Sequence, residues 1–166
     1  MSEIRFGIEY LKELEGESRA TRKCLERIPV EKFSWKPHEK SMELGYLAIL
    51  VAEIPRWIAS IVEDGVIDLA TYGHPEIKTT ADLVKYHDDN MDAARRALNN
   101  VENDALKELF HLKANGETLF SSSKKDNVSS AINHQVHHRG QLTVYMRLND
   151  IPVPSIYGPS ADDRSF

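Results

Sequence analysis

The segment NHQVHHRGQLTVYMRL, residues 133–148, is the densest concentration of metal-binding and proton-handling side chains in the sequence. At about 100° per residue on a helix, His134, His138, Gln141 and Tyr145 fall within roughly 60° of one another, while His137 lies about 60° to the other side of His134. Two histidines one turn apart point the same way and suit a single metal ion. Neutral imidazoles favour Zn²⁺, Ni²⁺, Fe²⁺ or Cu²⁺ over hard cations such as Mg²⁺. The same spacing also fits two packed histidines bonded to carbonyls. Gln141 and Tyr145 are suited to donating to a bound molecule, or equally to satisfying buried backbone groups. Arg139 lies about 100° from His138 and should point away from this stripe, into a salt bridge with an acid on another helix.

Other reactive residue types carry less. His38, His74 and His111 fall in expected connectors without ligand spacing, and Cys24 lies on the inner face of a helix as a small core residue. Phe33, Trp35 and Trp57 read as core or loop anchors. No Gly-rich phosphate loop, no GxSxG and no pair of acids at a catalytic spacing is present.

The elements that must position the histidines read as helices. A first helix is expected from about Glu3 to Ile28, with a polar middle around Gly16 that should be exposed or bent. After the connector FSWKPHEKS, Ser41 is a suitable N-cap for a helix from about Met42 to Glu63. That helix is apolar on most sides and should be central. Pro55 removes one donor inside it and frees the carbonyl of Val51, so a kink is expected. Gly65 ends it, and a loop with Gly73 and Pro75 follows. Thr79 and Asp82 form a capping box opening a third helix that runs to about Asn100, with His87 on or beside its inner stripe. A helical turn is expected around 104–110, then two extended pieces joined at Asn115-Gly116. The last helix runs from about Asp126 to Asn149 and stops before IPVP. The expected fold is all-α: an antiparallel four-helix bundle with a long connection before its last helix.

The 166 residues make one domain, 1–166, with a polar, turn-rich tail from about 150. Hydrophobic residues are 41% and charged residues 28%, the balance of a globular chain with a real core. Cys24 is the sole cysteine, which excludes an intramolecular disulfide and suits a reducing, cytoplasmic setting. A net charge of −5 argues against nucleic acid and membrane surfaces as partners. The start of the chain is too acidic for a signal peptide, and the most apolar stretch, Leu44 to Ala52, is shorter than the roughly 20 residues a bilayer crossing needs.

From the connector onward, WKPHEKSMELGYLA with EIPRW, then NHQVHHRGQLTVYMRL, then NDIPVP and YGPSADD resemble the DinB-like (DinB/YfiT) family of metal-dependent four-helix-bundle proteins, over roughly residues 30–163. The resemblance implies an up-down-down-up bundle, a homodimer, and a metal held by one histidine of the second helix and an HxxxH pair of the last. Carried over by position, the pair is His134 and His138, and His137 falls at a non-ligating position. The second-helix ligand position falls on Leu50, which cannot bind a metal. Glu53, one turn further, and His87 on the third helix are the candidates to replace it. The implied activity is a metal-dependent thiol S-transferase or hydrolase, with zinc or nickel holding a thiolate or water and lowering its pKa. The alternative is a bundle whose metal site has decayed and which binds a small molecule or serves as a dimeric interaction protein.

Overall fold

The structure is a computed structural model that describes residues 4–165. Four helices carry it: α1 (Phe6–Leu25), α2 (Leu44–Glu63), α3 (Thr80–Asn100) and α4 (Lys124–Leu148). The expected start of the first helix at Glu3 lies outside the described residues. The fold is not purely helical. Strands β1 (Val66–Asp68), β2 (Leu109–Ala114) and β3 (Glu117–Ser123) form a small sheet in that order, and 3₁₀ turns occur at Val30–Lys32 and Ala105–Lys107. The β2–β3 hairpin is the expected pair of extended pieces, turning through Asn115 (φ 52°) and Gly116 (φ 80°). The strand β1 corrects the all-α expectation. Three residues carry no readable period, and its structure comes from parallel pairing of Val66–Asp68 with His111–Lys113. Asp68 then clamps the hairpin tip, accepting from the backbone N–H of Asn115 at 3.1 Å and Gly116 at 2.7 Å. A bond from the Ala70 N–H, followed by those from Gly116 and Asn115, holds its carboxyl below the usual range.

The sheet also reports helix direction. Because β1 follows α2, β2 follows α3, and the two strands run parallel, α2 and α3 both end at the sheet. Helix α4 starts there, directly after β3. Helix α1 starts there too, since the Phe6 N–H reaches Asn103 Oδ1 just beyond α3. Two helices therefore run toward the sheet and two away from it. Helix α2 packs most extensively on α3 and α4, and α1 closes the ring against the same two.

The apolar face of α2 is buried from Leu44 to Val62, as its composition requires. The helix as a whole is long and apolar enough to cross a membrane, unlike its first nine residues alone, but 72% of its most apolar window is buried inside the fold. Ser41 does not cap it. The helix begins at Leu44, whose N–H donates to Trp35 O (2.7 Å), and the Gly45 N–H donates to Phe33 O (2.9 Å). Carbonyls of the connector thus satisfy the donors that a cap would have taken. Gly45 is required there, because a Cβ would stand 2.5 Å from the Phe33 ring. Helices α3 and α4 have side-chain caps, the Thr79–Asp82 capping box and Ser123, which accepts from the Asp126 N–H.

Pro55 lies inside α2, and the carbonyls that its ring disturbs are satisfied from neighbouring helices. Gln135 of α4 donates through Nε2 to Val51 O at 3.1 Å, and Asn90 of α3 donates through Nδ2 to Ala52 O at 3.0 Å. Both side chains are buried. Replacing Gln135 with Ala leaves a buried carbonyl without a partner, and should cost about 1–3 kcal/mol of stability, read from the urea midpoint at unchanged m-value. An unchanged midpoint would mean that the bond contributes nothing.

Candidate functional site

The α4 stripe Asn127–Ala131–His134–His138 repeats at three or four residues and faces α2, where Leu50, Trp57 and Ile61 share one stripe by the same arithmetic. Between them lies a cavity of about 360 Å³ lined by Leu50, Trp57, Tyr72, His74, His134 and His138. The sequence-predicted pair and the residue at the missing ligand position are therefore brought to one place. The half-exposed His134 and the buried His138 meet through their Nε2 atoms at 2.7 Å. His138 Nδ1 donates to Gln141 Oε1, also at 2.7 Å. With Gln141 presenting its amide oxygen, the tautomer that satisfies both contacts has His138 protonated on Nδ1 and its Nε2 lone pair facing the Nε2–H of His134. Burial holds both imidazoles below the usual histidine pKa, helped by the neighbouring histidines, while the Gln141 bond opposes it at His138.

That geometry does not fit a resident metal. Two nitrogens on one tetrahedral zinc, each at 2.0–2.1 Å, stand about 3.3 Å apart with both lone pairs turned to the ion. Here they stand 2.7 Å apart, in hydrogen-bond contact with each other. Leu50 closes the third side, and among the described residues no group of three or more His, Cys, Asp or Glu side chains converges on a point.

Neither candidate replacement ligand joins the pair. Glu53 is fully buried, with Oε1 accepting from the Tyr86 hydroxyl at 2.7 Å and standing 3.6 Å from Arg56 Nη1. Its Oε2 stands 3.1 Å from His74 Nδ1 but out of line for a hydrogen bond. Glu53 is thus bonded to Tyr86 of α3, with His74 of the loop after β1 against its second oxygen, and it does not converge with the histidine pair. His87 is buried on α3, a helix that packs on α1 and α2, with Nδ1 3.3 Å from Asp88 and Nε2 without a hydrogen-bond partner among the described residues. It belongs to the core.

Arg139 points away from the stripe, as its angle predicts. Its guanidinium meets Glu17 Oε2 at 2.6 Å, the Glu17 carbonyl at 3.0 Å and the Tyr157 hydroxyl at 2.9 Å. Arg147 likewise pairs with Asp162 at 2.6 Å, and Asp163, its pKa lowered to about 2 by Ser165 and the Ser155 N–H, holds the tail's turn. These residues bind the tail to α1 and α4. Tyr145 also leaves the site, packing edge-on to Trp35 at 5.5 Å. Cys24 is a core residue, its thiol pushed up to about 11 by burial.

His74, Tyr72 and Trp57 line the cavity, and no ligand spacing marked the first two. Trp57 had a signal, since it lies two turns after Leu50 on one face of α2. Its ring is 5.6 Å from His134 and 6.0 Å from Tyr72.

Fold and site together define a four-helix bundle with a small sheet at one end and a histidine pair set against its second helix. The chain belongs to the DinB family, whose model matches residues 1–164. It is similar in structure to the DinB-like protein YjoA of Bacillus subtilis, with a TM-score of 0.70 at 19% identity over 94% of this chain and 99% of that one. It is similar also to a DinB-like protein of Bacillus cereus ATCC 10987, with a TM-score of 0.69 at 23% identity over 89% and 95%. A stretch of 32 residues is 56% identical to the uncharacterized protein YrdA of Bacillus subtilis, spanning 19% of each chain.

The buried His87 has a consequence for stability. Burial lowers its folded pKa below the unfolded value, against a smaller opposing effect of Asp88. The unfolded chain therefore binds the proton first, and this contribution is present above about pH 6.5 and is lost as pH falls through the range below it. The urea midpoint should decline on that acid limb, and His87→Met should flatten the decline. Parallel limbs in both proteins would contradict the assignment.

Proposed function

We propose that this DinB-family chain binds a small molecule in the cavity beside His134 and His138 and keeps no resident metal. The observation that carries the reading is the closed pair: Nε2 to Nε2 at 2.7 Å, with Leu50 on the side where a third ligand would stand. An apolar residue there makes the cavity drier and leaves two donors where a catalytic zinc ordinarily has three. Met42, Tyr46 and Leu69 also line the cavity and are 39%, 48% and 46% exposed, so the site opens toward solvent through apolar and aromatic side chains.

The reading is tested by calorimetric titration of tag-free protein with zinc or nickel. Leu50→His supplies the missing imidazole and should raise affinity at least about tenfold over wild type. Equal affinities would mean that an imidazole at position 50 does not complete a site with the pair. Tight stoichiometric zinc binding by wild type would overturn the reading and favour the metal-dependent thiol S-transferase or hydrolase that the resemblance implies.

Two copies of the chain pair in this reading. Val144 and Leu148, one turn apart on α4, are each 57% exposed and supply apolar surface for it. Sedimentation at about 20 µM should give twice the 18.9 kDa chain mass. A monomer at that concentration would contradict the pairing.

A further inference from the structure

A second cavity, of about 250 Å³, lies between the sheet and the seam of α2 and α4. Its walls are Ile61 of α2, Ile67 of β1, Phe110 and Leu112 of β2, Phe120 of β3 and Ala131 of α4. It shares two residues with the histidine cavity, Trp57 and His134, whose rings stand 5.6 Å apart. Because α2 runs toward the sheet and α4 away from it, the facing residues come in a fixed order along the seam. Leu50 and His138 stand at one end, Trp57 and His134 in the middle, and Ile61 and Ala131 at the sheet end. From Leu50 to Ile61 is eleven residues, about 16 Å of helix rise. The two cavities are consecutive stretches of one seam, with Trp57 and His134 at the junction.

Their chemistries differ. The far stretch is walled mainly by aliphatic and phenylalanine side chains, and of its two polar residues Ser130 lies at an exposed position while Asn127 is already bonded through Nδ2 to Ser122 Oγ and the Ser123 carbonyl. The near stretch holds three imidazoles and the rings of Tyr46 and Tyr72, and no carboxylate lines it, since Glu53 stands behind His74. A ligand matching both has a hydrogen-bond-accepting head and an unbranched apolar tail.

We propose that the two cavities form one bipartite site for a straight-chain carboxylate, the head at the His134–His138 pair and the tail in the chamber beneath the hairpin. This rests on the small-molecule reading above. The Nε2–H of His134, which otherwise goes to His138, is a donor within reach of such a head. The tail gives the sheet a role in binding. Strands β1, β2 and β3 each contribute a wall residue, and Phe120, 51% exposed on β3, covers the chamber from the outside.

The test is a chain-length series, butanoate, hexanoate, octanoate and decanoate, followed by tryptophan fluorescence, to which Trp57 contributes from the junction, and by calorimetry. Each added methylene should tighten binding about fourfold until the chamber is full, the gain expected from burying one methylene. Ala131→Phe fills the chamber and should abolish the gain from hexanoate upward while leaving butanoate binding as in wild type. Phe120→Ala, at an exposed strand position, removes one wall without disturbing the core and should weaken octanoate several-fold while sparing butanoate. Butanoate and octanoate binding equally, or octanoate binding Ala131→Phe as it binds wild type, would overturn the bipartite site and leave the small-molecule reading standing. No binding of any member, with unchanged fluorescence throughout, would overturn the carboxylate site, whereas the small-molecule reading stands or falls by the zinc titration.

Discussion

The structure turns on the backbone of α2 just before Pro55. A proline inside a buried helix leaves a carbonyl that neither water nor its own helix can satisfy, and an orphaned buried acceptor costs a large share of a domain's net stability. Gln135 from α4 answers at Val51 O, and Asn90 from α3 answers at Ala52 O. Each bond fixes one helix against α2 in rotation and in height. Leu50 precedes Val51, and His134 precedes Gln135. The bond that repairs the proline therefore also sets the register in which Leu50 faces the histidines.

The site inherits its character from that register. With Leu50 opposite, the imidazoles have no third donor and turn to each other, and Gln141 fixes which nitrogen of His138 carries the proton. Burial depresses both pKa values, so the neutral, mutually bonded form is the one that the cavity favours. Residues adjacent in sequence serve other ends. Arg139, next to His138, is a buried fastener for the tail through Glu17 and Tyr157, which ties the HHRGQ and YGPSADD segments together by structure and not by shared chemistry.

Much of this was legible in the sequence because periodicity and caps are local properties. The four helices, the capping box at Thr79, the turn at Asn115-Gly116, the freed Val51 carbonyl and an Arg139 turned away from the histidine stripe all follow from spacing and residue type. Residues answering a need that arises elsewhere were not legible. Gln135 as the partner of Val51, the connector carbonyls at Leu44 and Gly45, strand β1 with its Asp68 clamp, and His74 in the cavity each depend on a group distant in the chain. Glu53 and His87 stood at plausible ligand positions by helix arithmetic. One is committed to Tyr86 and the loop, and the other lies at the faces α3 turns to α1 and α2.

The character of the cavity depends on the closure of the histidine pair on itself through an Nε2–H···Nε2 bond. Long-range ¹⁵N correlation spectra of the imidazoles in tag-free protein read it directly. They should show His134 protonated on Nε2 and His138 on Nδ1, with neither pattern changed by equimolar zinc. Both rings protonated on Nδ1, with their Nε2 resonances moving together when zinc is added, would contradict it.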